Sequence, residues 1–114
     1  MTEEERERER LRYIRESIAR IAEYTKGGRE AFDREPMVQD AVLRRLETLA
    51  DAANKLSEEL KARHPEIRWR AIYGFRNIAV HAYLELHLDP VWEIVEVHLP
   101  VLGAAVDAEL GAAP

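Results

Sequence analysis

The 114-residue chain carries 17 Lys and Arg against 22 Asp and Glu, a net charge of −5, and no cysteine. That length predicts one domain with a modest core, and the missing thiols exclude disulfides, thiolate metal sites and cysteine nucleophiles. The acidity argues against a general nucleic-acid coating protein. No apolar run reaches membrane-span length, and the alternating Glu and Arg at the start offer no secretory signal, so a cytoplasmic protein is the default expectation. The charge is unevenly spread. The last base is Arg76, and six acids follow it, from Glu85 to Glu109. Between residues 61 and 76, Lys61, Arg63, Arg68, Arg70 and Arg76 face Glu66 alone. This is either ordinary surface charge or a local patch that attracts phosphate.

The first predicted helix covers residues 3 to 26, with Leu11, Ile14, Ile18, Ile21 and Thr25 as its buried stripe. Its Glu/Arg start reads as a solvated end that frays. Gly27 and Gly28 should stop it, because glycine suits a left-handed cap. A short loop through Phe32 and Asp33 leads to a second helix from about 35 to 63, with Pro36 in its first turn. Val42, Leu46, Leu49, Ala53, Leu56 and Leu60 recur at 4,3,4,3,4, the seam spacing of nearly aligned helices. Pro65 ends that helix at His64. The fourth helix starts at Asp89 as N-cap with Pro90 behind it, and buries Val91, Val95, Leu99, Leu102, Val106 and Leu110. Pro100 lies inside it and should bend it near Glu96. No strand pattern, repeat or linker is present. The expected architecture is all-α: four main helices in an antiparallel bundle, with a homodimer plausible.

The third predicted helix, residues 67 to 86, carries the unusual residues. At 100° per residue, Ile72, Phe75, Ala79, Ala82 and Leu86 form one apolar stripe. Trp69, Tyr73, Arg76, Val80 and Tyr83 form a second, and Arg70, Gly74, Asn77 and His81 share the remaining side. Two apolar sides suggest a central helix with more than one neighbour. Asn77 and His81 are four apart, so a hydrogen bond between them would orient the imidazole. Arg76 and Tyr83 share a face, whereas Arg76 and His81 diverge by about 140°. Either the helix distorts near His81, or two copies complete each other's site about a two-fold axis. Gly74 would permit a close approach of backbone, partner or ligand. No carboxylate pair, phosphate loop or metal-ligand spacing occurs, so neither metal nor cofactor is expected. His64, His87 and His98 read as structural or surface residues, and Trp69 and Trp92 as core or interface.

Arg76, His81 and Tyr83 form Arg-x4-His-x-Tyr, with Asn77 behind the arginine. This pattern resembles the signature of the HepT-like toxins of the HEPN superfamily. The flanking His64, Pro65, Glu66, Ile67 and Trp69, then Leu88, Asp89, Val91 and Trp92, then Leu99 and Pro100, resemble that family in order and spacing. The likeness is most specific over residues 64 to 102. Arg68 stands where the family commonly has proline, and Ala82 where it commonly has glycine. The resemblance implies one HEPN-like domain over residues 1 to 114, an all-α homodimer, and a metal-independent endoribonuclease toxin acting on RNA such as tRNA or mRNA. Arg76 and His81 would carry the chemistry, with Asn77 and Arg70 in support. It further implies a nucleotidyltransferase (MNT) antitoxin that adenylylates Tyr83. The competing expectation is a non-catalytic helical dimer module that binds nucleotide or partner.

Overall fold

The computed structural model describes residues 1–85 and 87–111. Every regular element among them is helical: α1 (Glu3–Tyr24), α2 (Gly28–Arg34), α3 (Pro36–Asn54), α4 (Glu58–Ala62), α5 (Trp69–Tyr73), α6 (Phe75–Glu85), α7 (Asp89–Glu93), a π-helical turn (Ile94–His98) and α8 (Leu99–Gly111). Among the described residues, no helix is long and apolar enough to cross a membrane.

The long helices of the sequence reading are therefore divided. Residues 35 to 63 are not one helix. Lys55 and Leu56 N–H groups donate to the carbonyls three residues back, Ala52 and Ala53, which tightens and ends α3. Ser57 then caps α4, its hydroxyl accepting from Leu60 N–H at 3.1 Å. Leu56 and Leu60 are still buried with Val42, Leu46, Leu49 and Ala53, because α4 packs back onto the same core. The expected loop at Phe32 is α2, which buries the Phe32 ring 5.3 Å from that of Trp92. Gln39 Nε2 donates to the Phe32 and Asp33 carbonyls and closes its end.

Helix α1 lies antiparallel to both α3 and α8. Tyr13 Oη donates to Thr48 and Arg45 to Ser17 along one side, while Ile18 meets Gly103 and Arg8 meets Leu110 along the other. The Glu/Arg start is solvated at Glu3 to Arg6 and Glu9, as expected, but Glu7, Arg8 and Arg10 turn onto the rest of the fold. Glu7 accepts from Ser57 N–H at 2.6 Å and from its hydroxyl at 3.1 Å. Arg10 donates to the Lys55 carbonyl at 3.3 Å and Arg8 to the Leu110 carbonyl at 3.0 Å. One turn of charged side chains thus satisfies polar groups at the ends of α3, α4 and α8.

Pro100 acts on the helix before it. It lacks an N–H, and its ring would press on the carbonyl four residues earlier in an α-helix. The π turn immediately precedes it, with Leu99 N–H bonded to the Ile94 carbonyl five residues back. The extra residue shifts the buried face: Ile94 is buried, Val95 only half-buried, and the buried series steps from Ile94 to Leu99. Leu88, not Asp89, occupies the cap before α7, and the Asp89 carboxylate is instead bonded to Arg29 on α2.

α1 ends at Tyr24 with Thr25 as its C-cap, ahead of the expected glycine stop, and Gly28 turns the chain into α2 at φ +87°. Gly28→Ala should cost about 1–2 kcal/mol, and Gly28→Asn less, because asparagine tolerates that region better. Urea unfolding midpoints of the two variants check this ordering.

Candidate functional site

The motif segment is held from both ends. Upstream, Trp69 Nε1 donates to the carbonyls of Lys61 at 3.1 Å and His64 at 3.3 Å, which ties the start of α5 to the end of α4. His64 Nε2 lies 2.6 Å from Glu109 Oε2, and Arg63 grips the same carboxylate through Nη2 at 2.8 Å and Nε at 3.1 Å. Downstream, Phe75 at the start of α6 packs its ring 5.9 Å from the His98 ring of the π turn.

Residues 67 to 86 are two helices rather than one, meeting at Gly74. A Cβ on Gly74 would stand 3.3 Å from the Ala71 carbonyl oxygen and 3.6 Å from that of Arg70. Of the three expected approaches, the one within the chain is that of its own preceding turn. Ile72, Phe75, Ala79 and Ala82 are buried as the first stripe requires, and Leu86 lies outside the described residues. Beyond Trp69, the second stripe is largely exposed. Tyr73 is 63% exposed and Tyr83 69%, with Val80 and the adjacent Leu84 also exposed. Trp69 and Trp92 pack partly buried against the core, as expected of them.

Arg76, Asn77 and His81 are all exposed on α6, and Arg70 is exposed on α5, across the Gly74 turn. The expected hydrogen bond between Asn77 and His81 is not formed. The imidazole turns instead along the helix, its Nδ1 3.9 Å from Glu85 Oε1. α6 runs unbroken from Phe75 to Glu85, so no distortion brings Arg76 and His81 together. Of the five bases between residues 61 and 76, Lys61 pairs with Glu58 and Arg63 with Glu109. Arg68, Arg70 and Arg76 have no ion-pair partner among the described residues. Those three exposed guanidiniums are what remains of the basic zone. Among the described residues no group of three His, Cys, Asp or Glu could hold a metal.

Tyr83 has neighbours that the sequence did not signal. With Asp40, Leu43, Arg44 and Glu47 of α3 it lines a groove of about 190 Å³. Arg44 comes from a helix some forty residues earlier, and only the packing of α3 on α6 joins the two.

A family model described as Ribonuclease HepT-like matches residues 14–109. A Methanocaldococcus jannaschii protein named "Gamma-glutamylcyclotransferase and putative RNase" is 36% identical over 93 residues, covering 81% of this chain and 42% of its own length. The chain thus spans under half of that relative. A Thermococcus cleftensis protein named "Probable ribonuclease HepT" is 33% identical over 93 residues, 81% of this chain and 84% of its own length. A second Methanocaldococcus jannaschii protein, named "Putative RNase", is 28% identical over 95 residues and covered to 87%. No solved structure matches the chain.

The anchor beneath this segment is sensitive to acid. Hydrogen bonds from Arg63 outweigh the cost of burying the Glu109 carboxylate and, with that from His64, hold its pKa at about 2. A depressed carboxylate contributes stability above its unfolded range, and that contribution is lost as pH falls toward 2. Glu109→Gln should lower the melting temperature at pH 7. The difference from wild type should shrink steadily as thermal melts are taken from pH 5 to pH 2.

Proposed function

Because the chain belongs to the ribonuclease HepT-like family, we propose that it is a metal-independent endoribonuclease, the toxin of a toxin–antitoxin pair, with Arg76 and His81 as its catalytic residues. The observation that carries this reading is the outward display of Arg76, His81 and Tyr83 on one unbroken helix whose other side is buried. Cleavage of RNA by transphosphorylation needs a base for the 2′-OH proton, and an imidazole titrates near neutrality. It needs positive charge on the developing phosphorane, which a planar guanidinium supplies. His81 takes the proton, the 2′-oxygen attacks the adjacent phosphorus, and the 5′-oxygen leaves with a proton. The products are a 2′,3′-cyclic phosphate and a 5′-OH.

One copy does not bring Arg76 and His81 to a common point, so the working site is assembled from two copies about a two-fold axis. The exposed Tyr73, Val80 and Leu84 supply apolar surface for that pairing. Arg70 and Asn77 lie close enough in sequence to the catalytic pair to contact flanking phosphates. The antitoxin is a nucleotidyltransferase that adenylylates Tyr83, whose phenol is exposed. The added phosphate brings negative charge and bulk to the face that Arg76 shares, and so blocks RNA.

The test uses purified protein and total tRNA in EDTA. Wild type should produce discrete fragments, while Arg76→Ala and His81→Ala should each lose about 10²–10⁴-fold in rate. A mixture of the two inactive variants should recover about a quarter of wild-type activity, because half the dimers are mixed and each holds one intact composite site. An inactive mixture would overturn the shared site. Absence of cleavage by wild type whose intact mass shows no nucleotide on Tyr83 would favour the non-catalytic module.

A further inference from the structure

Tyr83 does not stand alone on α6. The groove that it shares with α3 contains one cation, Arg44, two carboxylates, Asp40 and Glu47, and the buried Leu43 as floor. Three of the groove's side chains, Tyr83, Arg44 and Glu47, each suit one part of a nucleotide. The Tyr83 ring is 69% exposed and presents a face on which a base can stack. Arg44 is 76% exposed at its side chain and reaches Glu47 only at 3.6 Å, too far for a hydrogen bond. An exposed pair at that distance holds the guanidinium weakly, whereas a phosphate offers it two short, charge-assisted bonds. Release of Arg44 leaves the Glu47 carboxylate free to accept from a ribose hydroxyl, the group that separates RNA from DNA. At about 190 Å³ the groove seats part of a ligand, below the range of about 300–1,000 Å³ that encloses a whole one. That suits one nucleotide of a strand passing over the surface.

We infer that the groove between α3 and α6 is a nucleotide subsite of the RNA strand: Tyr83 stacks on a base, Arg44 binds a phosphate and Glu47 accepts from the ribose 2′-OH. The inference rests on the ribonuclease reading and extends the site onto a second helix. Tyr83 follows Arg76 by two helical turns, about 10 Å along the axis. The subsite therefore lies beside the scissile phosphate rather than at it. Arg44 and Tyr83 act in substrate binding and take no part in bond breaking.

Binding is read by fluorescence anisotropy of a short, labelled single-stranded RNA on full-length His81→Ala protein, which holds the strand without cutting it. Adding Arg44→Ala should weaken binding about tenfold and reduce the slope of log K against log salt by about 0.7, the share of one phosphate on a single strand. Arg44→Lys should keep the slope. Tyr83→Ala should weaken binding about tenfold, and Tyr83→Phe, which keeps the ring, should not. Glu47→Ala should narrow the preference for RNA over the matching DNA. In the catalytic protein, Arg44→Ala should raise KM and leave kcat unchanged. Wild-type affinity and slope in Arg44→Ala would overturn the subsite while leaving the nuclease intact. Equal weakening by Tyr83→Phe and Tyr83→Ala would overturn stacking. If unadenylylated wild type neither binds nor cuts RNA, the ribonuclease reading falls and the subsite falls with it.

Discussion

The packing of α6 on α3 decides where the motif's polar groups can go. α6 has a single buried stripe, Phe75, Ala79 and Ala82, and two of its three members are alanines. Such small side chains let two helix backbones approach closely, so the flanking residues have no room to turn inward. Arg76, Asn77 and His81 are exposed as a result, without the desolvation that burial of charged groups would cost. The same closeness brings the Tyr83 ring to α3 and makes a groove out of two helix surfaces. The remaining helices serve this contact: α1 and α8 cover the other sides of the core, and Glu109 on α8 fastens the segment that delivers the chain to α5.

The exposed side of α6 combines features that a monomer seldom keeps without reason. Val80 and Leu84, with Tyr73 at the end of α5, are large, apolar and open, and they lie among Arg76 and His81. Isolated exposed hydrophobics are ordinary, but a series along α5 and α6, interleaved with ionisable groups, suits a surface that is covered only in an assembled state. A shared site would account for the divergence of Arg76 from His81 and for the apolar side chains between them. Neither feature would then need a separate explanation.

Much of this was legible in the residues. The stripes of α1 and α3 and the buried half of α6 followed from period alone, because burial repeats with the helix whatever its neighbours are. Helix ends were less legible. The 4,3,4,3,4 series ran through the break at Lys55 because α4 returns to the same core, so apolar spacing carried no sign of it. The Ser57, Glu58 and Glu59 run was the overlooked signal for a new helix start. α2 has one buried residue, too few to show a period. Pro100 pointed to a local defect, but the defect is an inserted residue before it, which moved the buried position from Val95 to Ile94. Asn77 and His81 met the spacing rule for a contact and made none, since spacing permits contact without requiring it and the imidazole is turned toward Glu85 instead. Arg44 could not have been found, because no local pattern links residue 44 to residue 83.

The antiparallel pairing of α1 with α8 also orders the events by which the chain acquires its shape. On the ribosome, α1 is complete long before α8 has been made, and domains consolidate largely as synthesis supplies their parts. α3 packs on α1, and α5 and α6 pack on α3, so the groove is lined by α3 and α6 without α8. The contact between Arg8 and Leu110 spans 102 residues. Contacts of such range slow folding, because the loop's entropy is lost before any packing compensates for it. The helix that bears the motif thus packs on a helix made before it, whereas the lock on its upstream anchor needs Glu109, from the last helix to be made.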